Sequence, residues 1–184
     1  AISTTDLTNA KLSHIALCPD FGQAIINQVV VTVNGNEVHK ITGRSIKHYN
    51  ELYYDNAKYT SEAELSGTST ALNELKTSFP QTKLYIKLPL WYTKALSLAV
   101  PVVSLNANGM NIAVTLNDCS KLFNYTVRDT SSGIVTVDSS AFAQYILAKS
   151  LSNCGCYFKT IMLREKDRYI FSGTPLEYLI IQTS

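Results

Sequence analysis

The side chains able to do acid–base or metal chemistry are few and scattered. The histidines are His14, His39 and His48, and the cysteines are Cys18, Cys119, Cys154 and Cys156. A zinc site draws on paired motifs, because four ligands must converge on one tetrahedral ion. Only Cys154 and Cys156 stand close together, with no second pair and no histidine nearby. The cysteines therefore read as buried, reduced thiols, and a disulfide framework is not expected at this length and density. No phosphate-binding glycine loop, nucleophile elbow or His-Glu-x-x-His helix occurs. Without such a local signature for a nucleophile and its base, each histidine reads as structural. His39 is expected on an exposed strand face and His48 in a helix beside Tyr49. Carboxylate pairs, Glu51 with Asp55 and Glu62 with Glu64, are the type a glycosidase uses. They lie in polar segments and read as solvated surface. Asn124-Tyr125-Thr126 is a formal glycosylation sequon, a triplet common by chance. No catalytic, cofactor-binding or metal residue is assigned, and no cofactor is expected.

The totals point away from charged partners. The 184 residues suffice for one domain with a real core, and their net charge is +2. Charged residues make up 16% of the chain, against about a quarter in soluble domains. The basic residues form no stripe, so direct nucleic-acid binding lacks electrostatic support. The first residues do not read as a signal peptide. No apolar run is long enough to span a bilayer, since Lys87, Lys94 and two prolines interrupt the nearest, residues 83–105. Because the sequence opens on alanine, it reads as processed or as part of a longer product. In place of charge it carries Ser, Thr, Asn and 11 Tyr, a composition that suits strands and uncharged contact surfaces.

The elements that would position these residues are mostly strands. Residues 25–33 are rich in β-branched side chains, and Asn34-Gly35 leads into a returning arm, 36–41. Asn-Gly favours a hairpin because a type I′ turn needs positive φ at both central positions. Residues 45–59 change to helical period, with Ile46, Tyr49, Leu52 and Tyr53 on one face and Ser45 as a candidate N-cap. Residues 60–81 read as a long polar loop with one helical turn near Leu72 and Leu75. Alternation at Leu84, Ile86 and Leu88 predicts a strand ended by Pro89. Residues 102–116 predict a hairpin turning at 106–109, with Ile112, Val114 and Leu116 inward. A strand is expected at 133–137, and 139–152 fits a helix or a strand. Strands are expected at 156–163 and 176–182, around a charged turn region at 164–175. Without strand–helix alternation, the sum is an all-β, mainly antiparallel sandwich with long loops and one or two short helices. Trp91, Tyr92 and Tyr85 are candidates for a contact surface, although Trp91 alone reads as core.

Three segments, in order, resemble the major capsid proteins of nucleocytoplasmic large DNA viruses and their relatives, the double jelly-roll lineage. The first is 21–53, with Gly35 at a hairpin turn, Gly43 after the returning arm, and Asn50-Glu51-Leu52 closing a short helical piece. The second is Leu84 to Leu88, Pro89, Trp91-Tyr92 and Leu98-Ala99-Val100-Pro101. The third is 161–182, a strand, a charged turn, and a final Glu-Tyr-Leu-Ile.

The resemblance implies a jelly-roll β-sandwich. Residues 1–175 would be an incomplete N-terminal jelly roll with its opening strands mostly missing. Residues 176–184 would be its last strand, leading toward a second jelly roll absent from this chain. It also implies a structural, non-enzymatic role: homotrimeric, pseudo-hexagonal capsomers of an icosahedral virion shell, made in the host cell interior. The partners would be other copies, neighbouring capsomers and minor capsid proteins. Contact surfaces are expected at 60–81, at Trp91 to Lys94 and at 138–153. A minor capsid, penton or scaffold protein with a single jelly roll is the closest alternative. A glycan-binding β-sandwich, with tyrosines stacking on sugars, and a hydrolase using His39 or His48 are more distant.

Overall fold

The Asn34-Gly35 turn forms as its residue types dictate, with φ of 50° and 87°. It joins β2 (Ile26–Val33) to β3 (Asn36–Thr42). The computed structural model describes residues 1–105, 109–127, 139–148, 151, 153–173 and 177. β2 is the centre of a three-stranded antiparallel sheet, flanked by β3 and by β4 (Met110–Leu116). Its buried row is Val29 and Val31, facing Ile41 and His39 across the β3 ladder. The other sheet pairs β1 (Leu12–Leu17) with β5 (Phe123–Val127), antiparallel.

Helices supply more of the chain than strands do. Among the described residues 42% are helical and 23% are strand, and the two sheets hold two and three strands. The expected all-β jelly-roll sandwich is therefore corrected to a mixed architecture. α1 (Thr4–Asn9) opens on a capping box, in which Ser3 and Asp6 satisfy each other's backbone N–H groups. A short turn, α2 (Phe21–Ala24), precedes β2. α3 (Gly43–Tyr53) follows β3 directly, and Thr42, not Ser45, caps it by accepting the Ser45 N–H at 3.2 Å. Its inward residues are Ile46 and Asn50, one turn apart; Leu52 and Tyr53 are exposed. The earlier helix start moves the inward face back along the chain.

The expected long loop at 60–81 is partly helix, at 60–65 and 70–73. Asp55 caps α4 (Asn56–Leu65) through the Lys58 N–H at 2.8 Å, and α5 (Thr70–Asn73) is the turn around Leu72. α4 buries no residue, so the apolar periodicity that betrays most helices is missing from its sequence. Residues 81–90 keep the expected alternation, with Leu84, Ile86 and Leu88 half-buried and Lys83, Tyr85 and Lys87 exposed, yet form no strand. Tyr85 donates to the Leu65 carbonyl at 2.9 Å; one-sided burial alone accounts for the pattern.

The expected hairpin at 102–116 does not form either. Residues Val102–Ser104 make a 3₁₀ turn, and β4 finds its partner in β2 instead. Ile112 is half-buried, but Val114 and Leu116 are exposed, contrary to an inward row. The expected turn and the expected strand at 133–137 fall wholly or partly outside the described residues. Within segment 139–152 the residues 139–148 are helical: α7 (Ser139–Phe142) runs on into a π-turn, Ala143–Leu147, burying Phe142 and Ile146, and α6 (Trp91–Lys94) is a helical turn earlier in the chain. The expected strand at 156–163 is irregular chain. The charged turn after it is α8 (Glu165–Gly173). Aromatic and β-branched residues favour strands only when another strand receives them, and 156–163 has no partner strand among the described residues. The expected last strand, 176–182, and the boundary at 176 lie outside the described residues, Glu177 apart.

The chain divides into two compact units. One comprises Ala1–Ile25, Tyr53–Ile86 and Asn117–Gly155, and holds the β1–β5 pair. The other comprises Ile26–Leu52, Lys87–Leu116 and Cys156–Ser184, and holds the three-stranded sheet.

Candidate functional site

In the first unit, polar side chains tie segments distant in sequence. Asp20, at a positive φ of 55°, takes a hydrogen bond from Thr68 Oγ1 to its carboxylate at 2.8 Å, while its own N–H donates to that hydroxyl at 2.9 Å. Asn73 Nδ2 donates to the carbonyls of Leu17, Cys18 and Gly67 at 3.2–3.3 Å. Gln23 Nε2 reaches Ser66 Oγ at 3.0 Å, and the Gly22 N–H meets the Ser66 carbonyl at 2.8 Å. A Cβ on Gly22 would sit 2.6 Å from that carbonyl oxygen, so only glycine fits. This clasp is structural, and no local sequence motif announces it. The signal was thin: a run of Asp, Gly, Gln, Ser, Thr and Asn at positions with no helical or strand period.

The second unit buries an aromatic and a histidine together. Trp91 is 5% exposed, so it faces its own core, and its ring centroid lies 5.5 Å from that of His39. Tyr92 meets Trp91 edge-on at 4.9 Å. Burial pushes the Tyr92 phenol up to about 12, with Cys156 adding to the effect. His39 is 2% exposed, not on an open strand face as expected. It points into the core because it stands opposite Val31 on β2's buried row. His48 lies 3.5 Å from Glu51 on the surface of α3, and Lys47 is 4.0 Å from the same carboxylate. His14 Nδ1 is 3.3 Å from Thr126 Oγ1. The three histidines thus have separate surroundings. Among the described residues no group of three His, Cys, Asp or Glu side chains could hold a metal ion.

The cysteines differ from the expected buried set. Cys154 and Cys156 are exposed, and Cys18 is half-buried with its thiol pushed up by burial. Asn124 of the sequon is exposed on β5. Glu62 is half-buried and Glu64 exposed, both on α4.

Large apolar side chains lie open in the second unit. Tyr157, Met162 and Tyr169 are 80%, 85% and 81% exposed, and Phe158, Ile161 and Ile170 are exposed too. α8 packs against the 3₁₀ turn at Val102–Ser104, where Val102 and Val103 are also exposed. Of the three stretches expected to carry contacts, the Trp91–Lys94 turn buries its tryptophan, 60–81 buries Leu72 and Phe79, and 138–153 buries Phe142 and Ile146. Leu65, Leu75 and Leu151 in these stretches are exposed, and further open apolar side chains lie at 96–103 and 156–170.

The family described as major capsid protein N-terminus matches residues 2–163. The chain belongs to this family. Among similar proteins is the major capsid protein of Phaeocystis pouchetii virus, 23% identical over 185 residues, covering 88% of this chain and 34% of the relative. Another is the major capsid protein of Chrysochromulina ericina virus, 22% identical over 191 residues, with 88% and 31% covered. The chain therefore spans about a third of the length of the curated relatives it matches. Among the described residues no helix is long and apolar enough to cross a membrane.

Proposed function

We propose that this chain is the N-terminal portion of a major capsid subunit, a structural protein of a virion shell that catalyses no reaction. The observation that carries this reading is the family match across residues 2–163. The relatives named major capsid protein, from Phaeocystis pouchetii virus and Chrysochromulina ericina virus, support it. The division of labour inside the chain fits such a role. One unit is tied by a polar clasp; the other leaves tyrosine, phenylalanine, methionine and isoleucine side chains open for burial on assembly. A shell repeats one contact many times, so each contact can be modest and the assembled total large. At finer detail, the subunits form homotrimeric, pseudo-hexagonal capsomers that meet neighbouring capsomers and minor capsid proteins. The chain continues into further structure in the complete subunit. The subunit is made in the host cell and resides in the virion. Mass spectrometry of purified particles tests this: peptides from this chain should rank among the most abundant. Their absence from intact particles contradicts it.

A further inference from the structure

The His39–Trp91 pair does something that a purely structural core pair need not do. Both ring nitrogens of His39 are buried without a hydrogen-bond partner, and so is Nε1 of Trp91. A neutral imidazole carries one donor and one acceptor, and an imidazolium carries two donors and a charge. Protonation here would bury a charge with no carboxylate paired to it among the described residues, and the cation–π attraction of the Trp91 ring offsets only part of that desolvation. The groups around it offer little relief. β2 presents Val31. α6 presents Trp91, Tyr92 and Lys94, and Lys94 lies over the Tyr49 ring of α3 at 5.3 Å. Cys156 lies near Tyr92. The one charge known to act on His39 is that of Lys94, and it repels a proton.

We propose that His39 is an acid-sensitive latch: neutral, it lets α6 seat Trp91 against β3, and when it takes a proton Trp91 is released from that seat. Desolvation first, and Lys94 second, hold the His39 imidazole below its ordinary value. The sign follows. The open state binds a proton near pH 6.5, and the closed state binds it only at lower pH. The seat is therefore at full strength above about pH 6.5 and weakens as pH falls from there toward the closed-state value. For a shell subunit this makes acidification a signal that loosens one defined packing contact without any bond being broken.

Trp91 is the only tryptophan of the chain, so its emission reports on this seat directly. Fluorescence of the 184-residue chain between pH 7.5 and 5, with circular dichroism alongside, is the test. The expected result is a reversible shift of emission to longer wavelength, with a midpoint below 6.5 and helix content kept. His39→Leu should remove the shift, Lys94→Gln should move its midpoint to higher pH, and His48→Gln should leave it alone. Emission that does not move with pH overturns the proposal, as does a shift that persists in His39→Leu with the same midpoint. Should His39→Leu fail to fold, Lys94→Gln decides: an unmoved midpoint overturns the latch.

Discussion

The two units of this chain solve their packing in opposite ways. The β1–β5 unit buries most of the chain's core: Leu7, Leu12, Ile15, Phe21, Phe123, Phe142 and Ile146, among others. Its polar groups largely find partners, through Asp20, Ser66, Thr68 and Asn73, although Gln23 Oε1 is buried unpaired. The sheet unit buries fewer: Ile26, Val29, Val31, Ile41, Ile46, Leu90 and Trp91. It leaves His39, Asn50 and Trp91 with unpaired buried atoms, and it exposes most of the large apolar side chains. An unpaired buried polar atom costs about 1–3 kcal/mol, and exposed apolar area contributes nothing until it is covered. The contrast fits the proposal that one unit is largely finished within the chain and the other is finished by assembly.

Core truncation should break the contrast most forcibly. Ile15→Ala should cost about 2–5 kcal/mol, because Ile15 is wholly buried on β1, opposite Tyr125 of β5. Ile46→Ala, equally buried in the sheet unit, should cost toward the lower end, since a less filled unit collapses around the gap more easily. Urea denaturation of both variants measures the difference. Equal losses would erase the contrast.

Gly22→Ala comes next. The added methyl meets the Ser66 carbonyl at 2.6 Å and Ile86 Cγ1 at 2.9 Å, and such overpacking costs about 1–3 kcal/mol. Asn73→Ala removes hydrogen bonds to three carbonyls and should cost about 1–2 kcal/mol; thermal melts suffice to rank the two. Smallest is Met162→Ser. In the isolated chain it should change stability by under about 0.5 kcal/mol, because Met162 is 85% exposed. In the complete subunit the same change should weaken assembly, which sedimentation reads. A large loss already in the isolated chain would mean that Met162 is core.

The sequence showed the hairpin around Asn34-Gly35 and the helix at Ile46, because each rests on local chemistry, and the burial of Trp91, because a lone large aromatic is most often core. It also carried the family resemblance in 21–53 and around Trp91. It hid other features for physical reasons. α4 is polar on every side, so no period marks it. Segment 156–163 has the composition of a strand without a strand to pair with, so propensity misled. The partner of β4 is β2, some eighty residues earlier, and no local pattern chooses between it and a nearby arm. His39 was misplaced because strand alternation fixes which residues share a face, not which face is inside. The clasp of Asp20, Thr68 and Asn73 exists only once the chain has folded.

The central claim is that this chain is part of a subunit completed by assembly. Native mass measurement of the complete gene product, by analytical ultracentrifugation at neutral pH, tests it most directly. A trimer of a chain much longer than 184 residues is the predicted result. A stable monomer whose surface keeps Tyr157, Met162 and Tyr169 open would contradict it.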